Sequence, residues 1–141
     1  MLLVLGLASL GAVVALGTVA QRYSAHLARR AEPGSSRAAD PMREVERQVA
    51  AFVAVREELR RELDLGRGLG PEALRERLGR VLGRALDAEG LSRESFHALE
   101  TMWRDWEQEG SAPSALYRGA LARRRDHLRG LSLAPIDPRE L

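Results

Sequence analysis

The sequence predicts an all-α protein, in which an N-terminal transmembrane helix precedes a small four-helix up-and-down bundle. Three observations carry this. Met1 to Ala20 holds no charged side chain. From Pro41 onward, apolar residues recur three and four apart, the period of one helix face. Gly and Pro interrupt that pattern at intervals, and no stretch alternates as a half-buried strand does.

The leading run, MLLVLGLASLGAVVALGTVA, is long enough to cross a bilayer, since twenty helical residues rise about 30 Å. Its polar side chains, Ser9 and Thr18, can bond back to helix carbonyls. Cleavable export signals usually begin with basic residues, and none precedes this run. Thr18 and Ala20 still leave a cleaved leader, and an exported protein, as the alternative. Arg22, Arg29, Arg30 and Arg37 follow the run, against Glu32 alone before Asp40. The positive-inside rule then places the N-terminus outside and the C-terminal domain in the cytoplasm of a bacterial inner membrane. Gly11 with Ala15, and Ala8 with Ala12, have the spacing that lets spanning helices pair. The expected organisation is an anchor and juxtamembrane segment at 1–30, a linker at 31–40, a helical domain at 41–130 and an extended or loosely packed tail at 131–141.

Each helix of the domain has its own signals. Asp40-Pro41 caps and starts the first. Met42, Val45, Val49, Phe52, Leu59 and Leu63 make its stripe, with Arg56 as a charged interruption. Gly66, Gly68 and Gly70 end it, because a helix interior tolerates glycine poorly. Pro71 starts the second, with Leu74, Leu78, Val81, Leu82, Ala85 and Leu86 on one face and Gly90 as its left-handed stop. Ser92 caps the third, and Leu91 with Phe96 forms a hydrophobic staple. Phe96, Leu99, Trp103 and Trp106 share its face, and Gly110 closes it. Pro113 or Ser114 begins the fourth, lined by Leu116, Tyr117, Ala120, Leu121 and Leu128 and closed by Gly130.

Composition narrows the function. The chain has 141 residues and no Cys, which excludes disulfides, thiolate metal sites and a lipidated Cys. All 22 basic residues are Arg, a mark of a GC-rich genome. The formal net charge is only +2, so a pI near 9.9 is a weak argument for nucleic acid. Charge is nonetheless unevenly placed. Seven acids and two arginines lie between Asp87 and Glu109, and five arginines and one acid between Arg118 and Arg129. Pairing across a hairpin of the third and fourth helices is the simplest outcome.

Candidate chemical sites fail on spacing. His26, His97 and His127 lack helical partners at metal-ligand spacing. Asp87 to Phe96 is too short for a calcium loop and lacks its repeated oxygen ligands. Gly66-Arg-Gly-Leu-Gly70 has neither the preceding strand nor the Lys of a phosphate loop. The fourteen residues Leu86 to Leu99 resemble the G-L-S-x-E-x-F helix turn of short bacterial oligomerisation hairpins of the SHOCT type. Capping alone produces that pattern, Ser95 replaces the usual second acid, and no function is carried over from it.

The expectation is therefore a non-catalytic, single-pass membrane protein that docks or scaffolds a protein partner, with self-association among the options. No cofactor, metal or small-molecule substrate is expected. Phe52, Arg56, Leu59, Trp103 and Trp106 are the candidate partner-binding residues. Arg56 could set register against an acid on a second chain, or reach solvent from within one bundle. The alternative is a module binding anionic lipid or, less readily, nucleic acid through Arg118, Arg123, Arg124, Arg125 and Arg129.

Overall fold

The computed structural model describes residues 40–141. The expectations for the spanning segment, its orientation and the linker lie outside the described residues. Among the described residues, no helix is long and apolar enough to cross a membrane.

The described residues form five α-helices and no strand. These are α1 (Pro41–Leu65), α2 (Pro71–Glu89), α3 (Arg93–Arg104), α4 (Ala115–Ala122) and α5 (Arg125–Gly130). A π-helical turn, Asp105–Glu109, continues α3, and a 3₁₀ turn, Pro138–Glu140, lies near the C-terminus.

Local chemistry sets the helix ends as the sequence implies. The Asp40 carboxylate accepts from the Met42 N–H at 3.0 Å, with Pro41 in the first turn. Ser92 Oγ accepts from the Ser95 N–H at 3.1 Å, and both staple residues, Leu91 and Phe96, are buried. Gly90 sits at φ 60°, where a side chain would be strained. Its N–H bonds Asp87 O, and the Leu91 N–H bonds Leu86 O at 3.0 Å, so the last carbonyls of α2 are satisfied. Gly66 ends α1 for a different reason. Its φ is ordinary, but a Cβ there would lie 2.5 Å from Leu74 Cδ1.

α1 is the central helix and packs against α2, α3 and α4. Arg77 meets Glu62 near the Gly66–Gly70 turn, while Arg47 reaches Gly90 O at the other end, so α1 and α2 form an antiparallel hairpin. α3 runs alongside α1 in the same direction, for Phe96 packs on Phe52 and Glu100 meets Arg56 one turn later. The core holds Val49, Phe52, Val55 and Leu59 of α1, Leu78 and Leu82 of α2, Phe96 and Leu99 of α3, and Leu121 and Leu128 of α4 and α5. Each such buried side chain contributes roughly 1.5–3 kcal/mol.

The fourth element departs from the expected single helix. It breaks after Ala122, and Arg124 adopts φ −112° and ψ 8°. Tyr117 bonds Gln48 while Arg123 and Arg124 pair with Glu46, two residues away. A helix lying along α1 would meet residues as far apart as its own, so α4 crosses α1. The break lets α5 turn towards Glu57 and Glu107. Leu116 and Met42, expected on apolar faces, are exposed. The tail is also packed rather than extended and loose. Leu133 and Pro138 are buried, and Ile136 and Leu141 are half-buried.

Candidate functional site

Of the sequence-derived partner-binding residues, the first three lie inside a single chain. Phe52 and Leu59 are buried in the core, and so is Arg56. They offer a partner no exposed surface, because Phe52 packs on Phe96 of α3, Arg56 meets Glu100 of α3 and Leu59 lies within the core. The Arg56 guanidinium pairs with Glu100 of the same chain, neither bridging to a second copy nor reaching solvent. Its Nη2 donates to Leu131 O at 2.9 Å, and its Nε is buried with no partner. Burial pushes the Glu100 carboxyl above its ordinary range, and the charge of Arg56 pulls against that.

Trp103 is likewise buried, and Trp106 is half-buried against it, edge to face with centroids 6.1 Å apart. The π turn explains where Trp106 and Glu107 go. Its wider spacing adds a residue to the turn and rotates the side chains beyond it away from their α-helical directions. The Arg125 guanidinium then lies 4.2 Å from the Trp106 ring centre, a cation–π contact.

The five arginines of the second candidate set do come together on α4 and α5, but most face carboxylates of their own chain. Arg123 and Arg124 share Glu46. Arg125 and Arg129 share Glu107, at 2.7 and 2.6 Å. Two arginines on one carboxylate hold Glu107 below its ordinary range. Arg118 donates to the Pro113 carbonyl at 3.4 Å. The expected charge pairing between the third and last helices is thus present at Glu107, while Glu46 of α1 is a partner that α4 finds by crossing.

Two features were not singled out in the sequence. The first is an apolar knuckle at the α1–α2 turn. Leu65 is 65% exposed and Leu69 42% exposed, beside half-buried Leu63 and Leu74. The glycine run marks the turn, but nothing in the sequence shows that its leucines lack cover. The second is an open cleft of about 440 Å³ between α3 and the C-terminal segment, lined by Arg56, Glu100, Trp103, Leu128 and residues 132–138. Its charges are already matched: Arg56 with Glu100, Arg104 with Asp137 at 2.9 Å, and Arg129 with Glu107.

His97 and His127 stand apart. His127 Nε2 lies 2.6 Å from Glu57 on the surface. His97 Nε2 is buried without a hydrogen-bond partner. Burial first, then the charges of Arg93 and Arg139, hold its pKa below the ordinary value, with Asp137 opposing. Among the described residues, no three His, Asp or Glu side chains gather as metal ligands would. Comparison with protein-family models, characterised proteins and solved structures found no match for this chain.

Proposed function

We propose that this chain is a non-catalytic, single-pass inner-membrane protein whose helical domain docks a protein partner, a second copy of itself included. The knuckle formed by Leu65 and Leu69 is the observation that carries the docking reading. Leu65 is the most exposed large apolar side chain among the described residues, and with Leu69 exposed four residues on, the turn favours being covered. α1 has 25 residues, so Leu65 lies about 37 Å from the start of that helix. The anchor reading rests on the charge-free run Met1–Ala20 and the arginines after it.

The test uses the full chain in its native membrane. A photo-crosslinking residue at Leu69 is compared with one at exposed Glu76 of α2. Crosslinks confined to position 69 support docking at the knuckle. Equal labelling at both positions, or none at 69, removes it. Protease added to spheroplasts tests the topology separately, and digestion of the helical domain from outside ends the cytoplasmic reading.

The second reading keeps the arginines of α4 and α5. Four of the five arginines share Glu46 and Glu107 as their chief acidic partners and Arg118 donates to a carbonyl, which leaves a cationic surplus on that surface. Salt-sensitive binding of vesicles rich in anionic lipid, lost on changing Arg118 and Arg123 to Ala, would favour it.

A further inference from the structure

The last eleven residues, 131–141, are held the way a bound peptide is held. Helix side chains reach for their backbone. Arg56 donates to Leu131 O, and Arg60 donates to Ser132 O at 2.7 Å. Leu133 and Pro138 are buried as pegs. Between them, the Asp137 carboxylate meets Arg104 at 2.9 Å. Arg139 reaches Thr101 at 3.4 Å, and the Leu141 carbonyl lies beside Gly79 of α2. Bonds to carbonyls are indifferent to the side chain, whereas the pegs and the carboxylate select a sequence.

This strap does not fill its seat. The cleft of about 440 Å³ runs between residues 132–138 and the wall made by Glu100, Trp103 and Leu128. The cleft opens to solvent, so the held segment borders free space along this wall. Arg56, which lines the cleft, is the side chain that carries the unpartnered buried Nε.

We propose that the groove along α3 and α1 is a peptide-recognition groove, occupied in cis by the chain's own C-terminal strap. In trans it takes a turned segment of the same chemistry: an apolar peg, then a proline, then an apolar residue and a carboxylate followed by a second proline. The strap's own version is Leu133-Ala-Pro-Ile-Asp-Pro138. The groove is separate from the Leu65–Leu69 knuckle, so it stands or falls without that reading.

A labelled peptide of residues 131–141 tests this by fluorescence anisotropy, with the full chain and a chain ending at Gly130 both in detergent micelles. The shortened chain binds the peptide saturably. The intact chain binds it at least about tenfold more weakly, because a tethered strap competes at an effective concentration near millimolar. Changing Asp137→Ala or Leu133→Asp in the peptide removes binding. In the intact chain, Arg104→Ala frees one strap contact and raises both peptide uptake and proteolysis after Gly130. Dimers of the intact chain that exchange straps support the groove and identify a second copy as a source of the segment. No saturable binding to a shortened chain that keeps its helix content overturns the proposal, as does equal binding to both chains. Loss of helix content on shortening also overturns it, since the strap is then part of the core.

Discussion

The buried Arg56–Glu100 pair makes a sharp prediction. Glu100→Ala leaves Arg56 charged, with a side chain 6% exposed and, besides the Phe52 ring face, only the Leu131 carbonyl as a hydrogen-bond partner. Removing one member of a buried pair costs about 3–5 kcal/mol, mostly for the stranded charge. Arg56→Ala strands Glu100 instead and also gives up the bond to Leu131, about 1 kcal/mol more. The double change Arg56→Met with Glu100→Leu strands nothing and keeps most of the volume, so it lies within about 1 kcal/mol of the parent or above it. Urea unfolding followed through Trp103 and Trp106 fluorescence and far-ultraviolet dichroism measures all three. A domain of this size has about 5–15 kcal/mol in total, so either single change moves the midpoint well beyond error. Single variants costing under about 1 kcal/mol would show the pair to be solvated. A double variant as damaged as either single would show that the pair itself stabilises the fold, and damage equal to the sum of the singles would show the two side chains to be uncoupled. The acid limb gives an independent check. Because burial raises the folded pKa of Glu100 above its ordinary 4.5, its contribution is full below that pH and is lost as pH rises through the folded value. Glu100→Gln, whose amide stands in for the protonated acid, does not titrate, so the parent loses stability relative to it from acid towards neutral pH, and an unchanged difference would refute the raised pKa.

Three further changes have defined outcomes. His97 has a folded pKa below its ordinary 6.5, so its neutral ring supports the fold above that pH and the support is lost as pH falls; His97→Gln flattens the urea midpoint between pH 7 and pH 5, and an unchanged slope refutes it. Gly66→Ala places a Cβ 2.5 Å from Leu74 Cδ1, a side-chain tip that must move aside, and 3.2 Å from Glu62 O, so it costs about 1 kcal/mol or less by chemical denaturation, whereas Gly68→Ala meets nothing and is tolerated. Ser92→Ala removes the cap of α3 and costs about 1 kcal/mol, and Ser92→Asp restores it.

The features legible in the sequence were local. The starts at Pro41, Pro71 and Ser92 and the stops at Gly90 and Gly110 depend on residues within a turn or two, and they are where the pattern puts them. The stripe of α1 was legible too, Arg56 included. The chemistry of Arg56 was not, because its partner is 44 residues away and becomes a neighbour only when α3 lies beside α1. The break after Ala122 had no local signal: no Gly or Pro stands there, and consecutive arginines are good helix formers. Three arginines on one continuous helix would point in different directions. The turn brings Arg123 and Arg124 to Glu46 and Arg125 to Glu107. The candidate surfaces were the least legible, since exposure depends on which faces find partners. Phe52 and Leu59 found them, and Leu65 and Leu69 did not.

The tail shows how one long-range event hides another. Leu131, Leu133 and Ile136 lie among two prolines at spacings that fit neither helix nor strand, so periodicity gives them no place. Backbone outside regular helices and strands can be buried only if its carbonyls find donors. The donors are Arg56 and Arg60 of α1, more than 70 residues earlier. Arg56 can donate to Leu131 because Glu100 holds its guanidinium from the other side. The ion pair and the strap are therefore coupled through one side chain, and their order can be tested. Glu100→Ala loosens strap and core together, because the stranded Arg56 belongs to both. Arg104→Ala loosens the strap alone, since Arg104 reaches Asp137 from a half-exposed position on α3. Hydrogen exchange of the Ile136 amide, which bonds Leu133 O at 2.9 Å, separates the two: faster exchange in Arg104→Ala with an unchanged urea midpoint places the strap outside the cooperative core. A midpoint that falls in step with the exchange rate makes strap and core one unit, and the groove then has no independent existence.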